Sequence, residues 1–173
     1  MGKGLFIIYT GNGKGKTTAA LGMAVRALGH GYPVTVIQFI KGNAHCGEHN
    51  LAEHFHGLLD FHVMGRGFTW KSDNLDEDIA LARSAWALAA KTIAEGKTRL
   101  LILDELTYLV RYKMVDEDDI LAAIKNRPAA MNIVITGRHA SEKMIAAADL
   151  VTEMSEIKHP YQQGIPAQKG VDF

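Results

Sequence analysis

This 173-residue chain has one cysteine, Cys46, four prolines, and no charge excess of either sign. A single cysteine cannot form an internal disulfide, which points to a reducing compartment. Nineteen Lys and Arg balance nineteen Asp and Glu. Surfaces for nucleic acid or membrane usually carry a basic excess, so neither partner is expected. No apolar run approaches the ~20 residues that a membrane span requires. The start, Met1-Gly-Lys-Gly4, runs into apolar sequence without a signal-peptide core. It resembles a myristoylation site only until Phe6, where Ser or Thr is needed. A cytoplasmic protein is therefore expected. Repeats, low-complexity blocks and Pro/Ser-rich linkers are missing as well. With 47% hydrophobic residues, the chain is long enough to bury a core. One domain over 1–173 is expected.

What is present is an alternation of apolar runs with helical patterns. Strand-like runs fall at 5–9, 34–40, 61–64, 100–103 and 132–136, with a shorter one at 150–151. Most are nearly continuously apolar, as in parallel strands covered on both faces. Helices are expected at 16–28, stopped by Gly29, and at 75–95, opened by Asn74 with Glu77 three residues on. Another opens at Asp116 with Glu117, Asp118 and Asp119 in its first turn and ends before Pro128, and a short one covers 141–148. The last nineteen residues read as loop, expected to pack back onto the sheet, and are open to two readings: closure of the nucleotide site or a draped surface tail. The pattern indicates an α/β sandwich with a mostly parallel central sheet.

In open parallel sheets, ligands bind beyond the carboxyl ends of the strands. Those ends carry Thr10 onward, Lys41-Gly42, Gly65-Arg66-Gly67, Asp104-Glu105 and Gly137-Arg138-His139. The most informative is Gly11, Asn12, Gly13, Lys14, Gly15, Lys16, Thr17 and Thr18, between a strand and a helix. Glycines let backbone N–H groups point inward, the helix start adds partial positive charge, and lysine adds a full one. This is a nucleoside triphosphate loop: Lys16 is placed for the terminal phosphates and the Thr17 hydroxyl for Mg²⁺ (or Mn²⁺). It departs from the usual pattern in carrying Thr10 where a first glycine is common.

The run 99–105 ends an apolar strand on Asp104 and Glu105, hard carboxylates suited to Mg²⁺. Glu105 also reads as a general base, which leaves a P-loop ATPase or nucleoside kinase open. Arg138 is placed to neutralise phosphate charge or to lie in solvent. Phe68 and Trp70 follow two glycines in a loop; they read either as a satellite of the core or as a flat apolar wall for a planar ligand. His45, Cys46, His49, His54, His56 and His62 cluster without the spacing of a zinc module. They read as a solvated or packing segment.

Thr10–Gly22, Val36–Asn43, 47–50, 67–71, 103–109, 135–140, Asp149 onward, 158–161 and 164–173 together resemble the P-loop corrinoid adenosyltransferases. These act on ATP and cob(I)alamin or cob(I)yrinic acid a,c-diamide. The resemblance covers nearly the whole chain and includes the threonine at position 10. It implies a three-layer P-loop NTPase fold of the RecA-like kind. It implies transfer of the 5′-deoxyadenosyl group of ATP to Co(I) of a reduced corrinoid (cobalamin, cobinamide or cobyrinic acid diamide), with triphosphate leaving.

Residue by residue, the resemblance assigns Gly11 to Thr18 to the triphosphate, with Lys16 and Thr17 central. Glu105 with Asp104 organises Mg²⁺ and nucleotide. Phe68 and Trp70 pack at the corrin's lower face and displace its axial ligand. It also implies a homodimer and a flavoprotein reductase as electron donor. Family members often carry an N-terminal extension over the site; here the first strand begins near Leu5, so closure is expected to come from elsewhere or to be weaker.

Overall fold

The computed structural model describes residues 2–40, 46–55, 57–65 and 75–172. Its described strands are β1 (Phe6–Thr10), β2 (Val34–Gln38), β3 (Leu59–Val63), β4 (Leu100–Asp104), β5 (Asn132–Thr136) and β6 (Leu150–Glu153). Helices are α1 (Lys16–Gly29), α2 (Gly47–Ala52), α3 (Leu75–Glu95), α4 (Thr107–Arg111), α5 (Glu117–Lys125) and α6 (Glu142–Ala147), followed by a 3-10 turn at Pro160–Gln163. The strands form one sheet in the order β3-β2-β4-β5-β1-β6, and every pairing is parallel.

Strand alternation divides the core into two layers. Ile7, Val34, Val36, Leu100, Ile102 and Val134 face α1, which meets them with Ala20, Ala24 and Leu28 at four-residue spacing. Ile8, Ile37, Leu101, Leu103, Ile133 and Ile135 face the other way, onto α3 through Ala82, Ala85, Ala89 and Ile93 and onto α5 through Ile120 and Ile124. The small residues on α1 and α3 let each helix lie close to the sheet.

Helix starts are set by local chemistry. Asp116 caps α5 by accepting from the Asp118 N–H at 2.8 Å. Ser141 caps α6 by accepting from the Met144 N–H at 3.0 Å. Two short helices, α2 and α4, were not legible in the sequence. They run for six and five residues, too short to show a period. Helix α1 runs through Gly29, one residue past its expected end, and stops at His30. Asn74, the expected cap of α3, lies outside the described residues.

The topology places the site. The chain leaves β1 toward β2, across β5 and β4, and leaves β5 toward β6, across β1 in the opposite direction. Connections diverging from adjacent strands open a crevice at their carboxyl ends. The glycine-rich loop emerges there.

Candidate nucleotide site

The row of side chains facing α1 changes character at the carboxyl ends of the strands. Val36 gives way to Gln38, Ile102 to Asp104 and Val134 to Thr136, all at two-residue spacing. All three polar residues are buried, at 1%, 1% and 0% exposure. Buried polar groups need partners, and these find them in one another. Asp104 Oδ1 accepts from Thr136 Oγ1 at 2.6 Å and from Thr17 Oγ1 at 2.8 Å. Asp104 Oδ2 accepts from Gln38 Nε2 at 3.0 Å. The acid strand is not next to the loop strand; β5 stands between them. Thr17 spans the gap directly, and Thr136 on the intervening strand holds Asp104 and Glu105 in place.

The loop itself is held from two sides. Lys16 donates to the carbonyls of Gly11 at 2.9 Å and Gly13 at 2.7 Å, so its ammonium lies across the loop. Beyond β6 the chain crosses the loop: Gly13 N–H donates to Met154 O at 2.7 Å and Met154 N–H to Thr10 O at 2.9 Å. Gly11 has a φ of 94°, and a Cβ there would lie 2.4 Å from Met154 O. Both the left-handed backbone and the close strand require glycine.

Thr10 also has a structural reason. Its hydroxyl accepts from the Ala140 N–H at 3.2 Å, tying the start of the loop to the segment after β5. A glycine could not make this bond. The same segment is fixed by Thr107, whose hydroxyl donates to Arg138 O at 2.7 Å. Arg138 is exposed, yet its charge is felt at Lys16. Burial is the main cause that lowers the Lys16 pKa from the usual lysine value; Arg138 lowers it further, while Glu105 and Asp104 oppose. Four groups chosen from three separate strand ends thus share one electrostatic site.

Glu105 is held in a left-handed conformation, φ 64°, which costs a non-glycine residue on the order of 1–3 kcal/mol. Its N–H donates to Thr136 Oγ1 at 2.9 Å, and the next residue, Leu106, is fully buried. The strain turns the chain sharply after β4 and sets Glu105 on the wall of a cleft of about 460 Å³. The other walls include Lys14, Lys16, Thr17, Leu21, Gly47 and Asp172. Tyr108, one turn further on, has its phenol pKa raised by burial and then by the Glu105 carboxylate.

The end of the chain does reach the site, although residues 155–172 are mostly exposed and not packed on the sheet as expected. Asp172 pairs with Lys14 at 2.5 Å. That hydrogen bond is the main cause lowering the Asp172 carboxyl pKa, followed by the Gln168 N–H.

The structure brings together Gly11 to Thr18, Asp104, Glu105 and Arg138. Phe68 and Trp70, with Lys41, Gly42, Arg66 and Gly67 of the expected rim, lie outside the described residues. The histidine segment forms no cluster of metal ligands among the described residues. His62 pairs with Asp60 at 2.8 Å, His49 packs on Phe61 with ring centres 5.5 Å apart, and His45 and His56 lie outside. Sequence reading missed Gln38 and Thr136. The available signal was parity: each is the polar residue two positions beyond a buried aliphatic on the face toward α1.

This is the fold and loop of a P-loop nucleotide-binding protein. Its backbone is similar to that of the flagellar accessory protein FlaH from Methanocaldococcus jannaschii, with a TM-score of 0.64 and 17% identity over 88% of this chain and 72% of that one. Residues 2–173 match the ATP:corrinoid adenosyltransferase BtuR/CobO/CobP family, and the chain belongs to that family. It is 47% identical to the corrinoid adenosyltransferase of Pseudomonas aeruginosa over 99% of this chain and 84% of that protein. It is 43% identical to the corrinoid adenosyltransferase of Escherichia coli over 99% of this chain and 86% of that protein.

Proposed function

We propose that this protein transfers the 5′-deoxyadenosyl group of ATP to Co(I) of a reduced corrinoid, as one domain over 1–173. The observation that carries it is the phosphate loop crossed by Lys16 and flanked by Lys14, Thr17 and Arg138, in a chain matching the adenosyltransferase family end to end. The cobalt electron pair attacks the 5′ carbon. The C5′–O bond breaks and its electrons leave with triphosphate, while the Co–C bond forms. Negative charge grows on the bridging oxygen of the leaving group. Preorganised N–H groups and cations are most effective against charge that develops in the transition state.

The residues fit Mg²⁺. The Thr17 hydroxyl spends its hydrogen on Asp104, which leaves oxygen lone pairs for a hard cation. Asp104 already accepts three hydrogen bonds and suits the outer role of orienting Thr17 and metal-bound water. Glu105 stands on the cleft wall as the second carboxylate. When bound, Mg²⁺ would neutralise part of the charge on the departing triphosphate.

Phe68 and Trp70 supply the apolar wall that excludes water from the lower face of the corrin. A flavoprotein electron donor, a homodimer and a cytoplasmic setting complete the reading; no described helix is long and apolar enough to cross a membrane. Incubation with ATP, Mg²⁺ and a chemically reduced corrinoid tests it. A Co–C product and inorganic triphosphate are expected in equal amounts. ADP and phosphate, formed equally well without corrinoid, would instead identify an ATPase, for which Glu105 is the candidate base.

A further inference from the structure

Gln38 is the least expected member of the site. It comes from β2, which β4 and β5 separate from the loop strand. Its register pairs it with Asp104, and in a parallel pair the two side chains share a face. The hydrogen bond from Nε2 to Asp104 Oδ2, 3.0 Å long, fixes the amide orientation. A carboxylate only accepts, so the NH₂ end must face it and the carbonyl must face away.

That carbonyl oxygen, Oε1, is buried and has no hydrogen-bond partner among the described residues. An unmet buried acceptor costs about 1–3 kcal/mol. A methionine or leucine would fill the same space without that cost. A polar group kept at such a cost beside a ligand site suggests a partner that arrives with the ligand. The partner must be a donor, which excludes the phosphate oxygens of ATP. The nucleoside also brings hydroxyl and amine donors, but Gln38 is bonded to Asp104 and Asp104 to Thr17, which favours the hydrogens of metal-bound water.

We propose that Gln38 is a positioning residue for the cation. Its NH₂ holds Asp104 in the rotamer that receives Thr17, and its Oε1 accepts from water in the Mg²⁺ hydration shell. This rests on the reading of Thr17 and Asp104 as the Mg²⁺ site. Its consequence is a split between two quantities that a purely structural residue would not separate. Gln38→Met should keep the fold and the metal-free affinity for ATP, and lose the gain that Mg²⁺ adds.

The experiment is calorimetric titration with ATP, in excess Mg²⁺ and in EDTA, on the wild-type protein, Gln38→Met and Gln38→Asn, with thermal melts alongside. Asn keeps a buried amide but is one methylene too short, so it covers the case in which Met does not fold. In either variant the Mg²⁺-dependent gain in affinity should fall by ~10-fold or more, as when outer-shell partners of a metal are removed. The affinity in EDTA should stay within about 2-fold of wild type. A wild-type protein without any Mg²⁺ gain would remove the metal reading itself. A wild-type gain that survives intact in the variants would overturn the role of Gln38 alone. Equal loss in Mg²⁺ and in EDTA would overturn it too, by assigning the amide to the nucleotide.

Discussion

The two faces of the sheet are built from the same strands and do different work. Toward α3 and α5, the rows are aliphatic along their length: Leu101 and Leu103, Ile133 and Ile135, with Leu106 and Leu109 continuing the layer. Toward α1, the rows begin aliphatic and end polar, in Gln38, Asp104 and Thr136. One face concentrates apolar burial, at about 25 cal/mol per Å². The other gives up its last position in β2, β4 and β5 to hydrogen-bonded polar groups, whose net contribution is near 1 kcal/mol each when partnered. The comparison teaches that the site is housed on the face with the smaller apolar cluster, while the larger cluster holds the strand ends in place.

This contrast can be broken experimentally. The largest effect is expected from Lys16→Ala, which removes the cation that crosses the loop. Adenosyl transfer should fall by roughly 10²–10³ in kcat/KM, with the melting temperature little changed; steady-state kinetics beside a thermal melt will show the separation. A near-normal rate would contradict the loop assignment.

Leu103→Ala, on the opposite face and one residue from Asp104, should invert the outcome. Truncating a fully buried leucine costs about 2–5 kcal/mol of stability. The remaining folded molecules should turn over at close to the normal rate. Denaturant titration gives the first quantity, and a rate normalised to folded protein gives the second. A collapse in rate per folded molecule would show that the two faces are not separable.

Thr136→Val should act on both, more weakly. It leaves Asp104 Oδ1 with one donor fewer and deprives the Glu105 N–H of its acceptor, for about 1–3 kcal/mol. Because that N–H holds the strained backbone of Glu105, the kinetic loss should exceed the loss from Thr107→Val, whose bond fixes only the Arg138 carbonyl. Parallel kinetics and melts of the two variants will rank them.

The smallest effect is in pH. Lys16 has a lowered pKa, chiefly through burial, so its charge is lost below the ordinary lysine value. Affinity for ATP should weaken as pH rises through that lowered value. Stability should move the other way. Between the lowered pKa and the ordinary one, the unfolded chain binds the proton and the folded chain does not, so stability rises with pH across that window. Arg138→Gln removes a like charge, raises the Lys16 pKa and shifts the loss of affinity to higher pH. An unshifted profile would show that Arg138 does not act on Lys16. Binding measured by titration across alkaline pH, with melts at each point, separates the two signs.

Much of this was legible in the linear chain. The loop residues Gly11 to Thr18 are contiguous, and their chemistry depends on local backbone freedom, a helix start and a lysine, all of which spacing records. Asp104 ends a long apolar run, so both its strand and its place at the carboxyl end of that strand followed from pattern. The strands came out within a few residues because buried parallel strands are continuously apolar. Helices α2 and α4 did not, being too short to establish a period. The tail contact of Asp172 with Lys14 joins residues 158 positions apart in sequence, and no local signal announces it.

The nucleotide loop, the acid strand and the α/β alternation are written into the linear chain, because each depends on neighbours along it. The choice of partners for Asp104 belonged to the tertiary structure. Strand order placed β5 between loop and acid, which set Thr136 against Asp104 and Glu105, and parallel register set Gln38 beside the carboxylate. The bond from the Ala140 N–H to the Thr10 hydroxyl, which makes sense of the missing glycine, likewise exists only because β1 and β5 are neighbours in the sheet. Hydrogen bonds of this kind depend on distances of about 3 Å between distant residues, and such distances are properties of the packed sheet rather than of the chain.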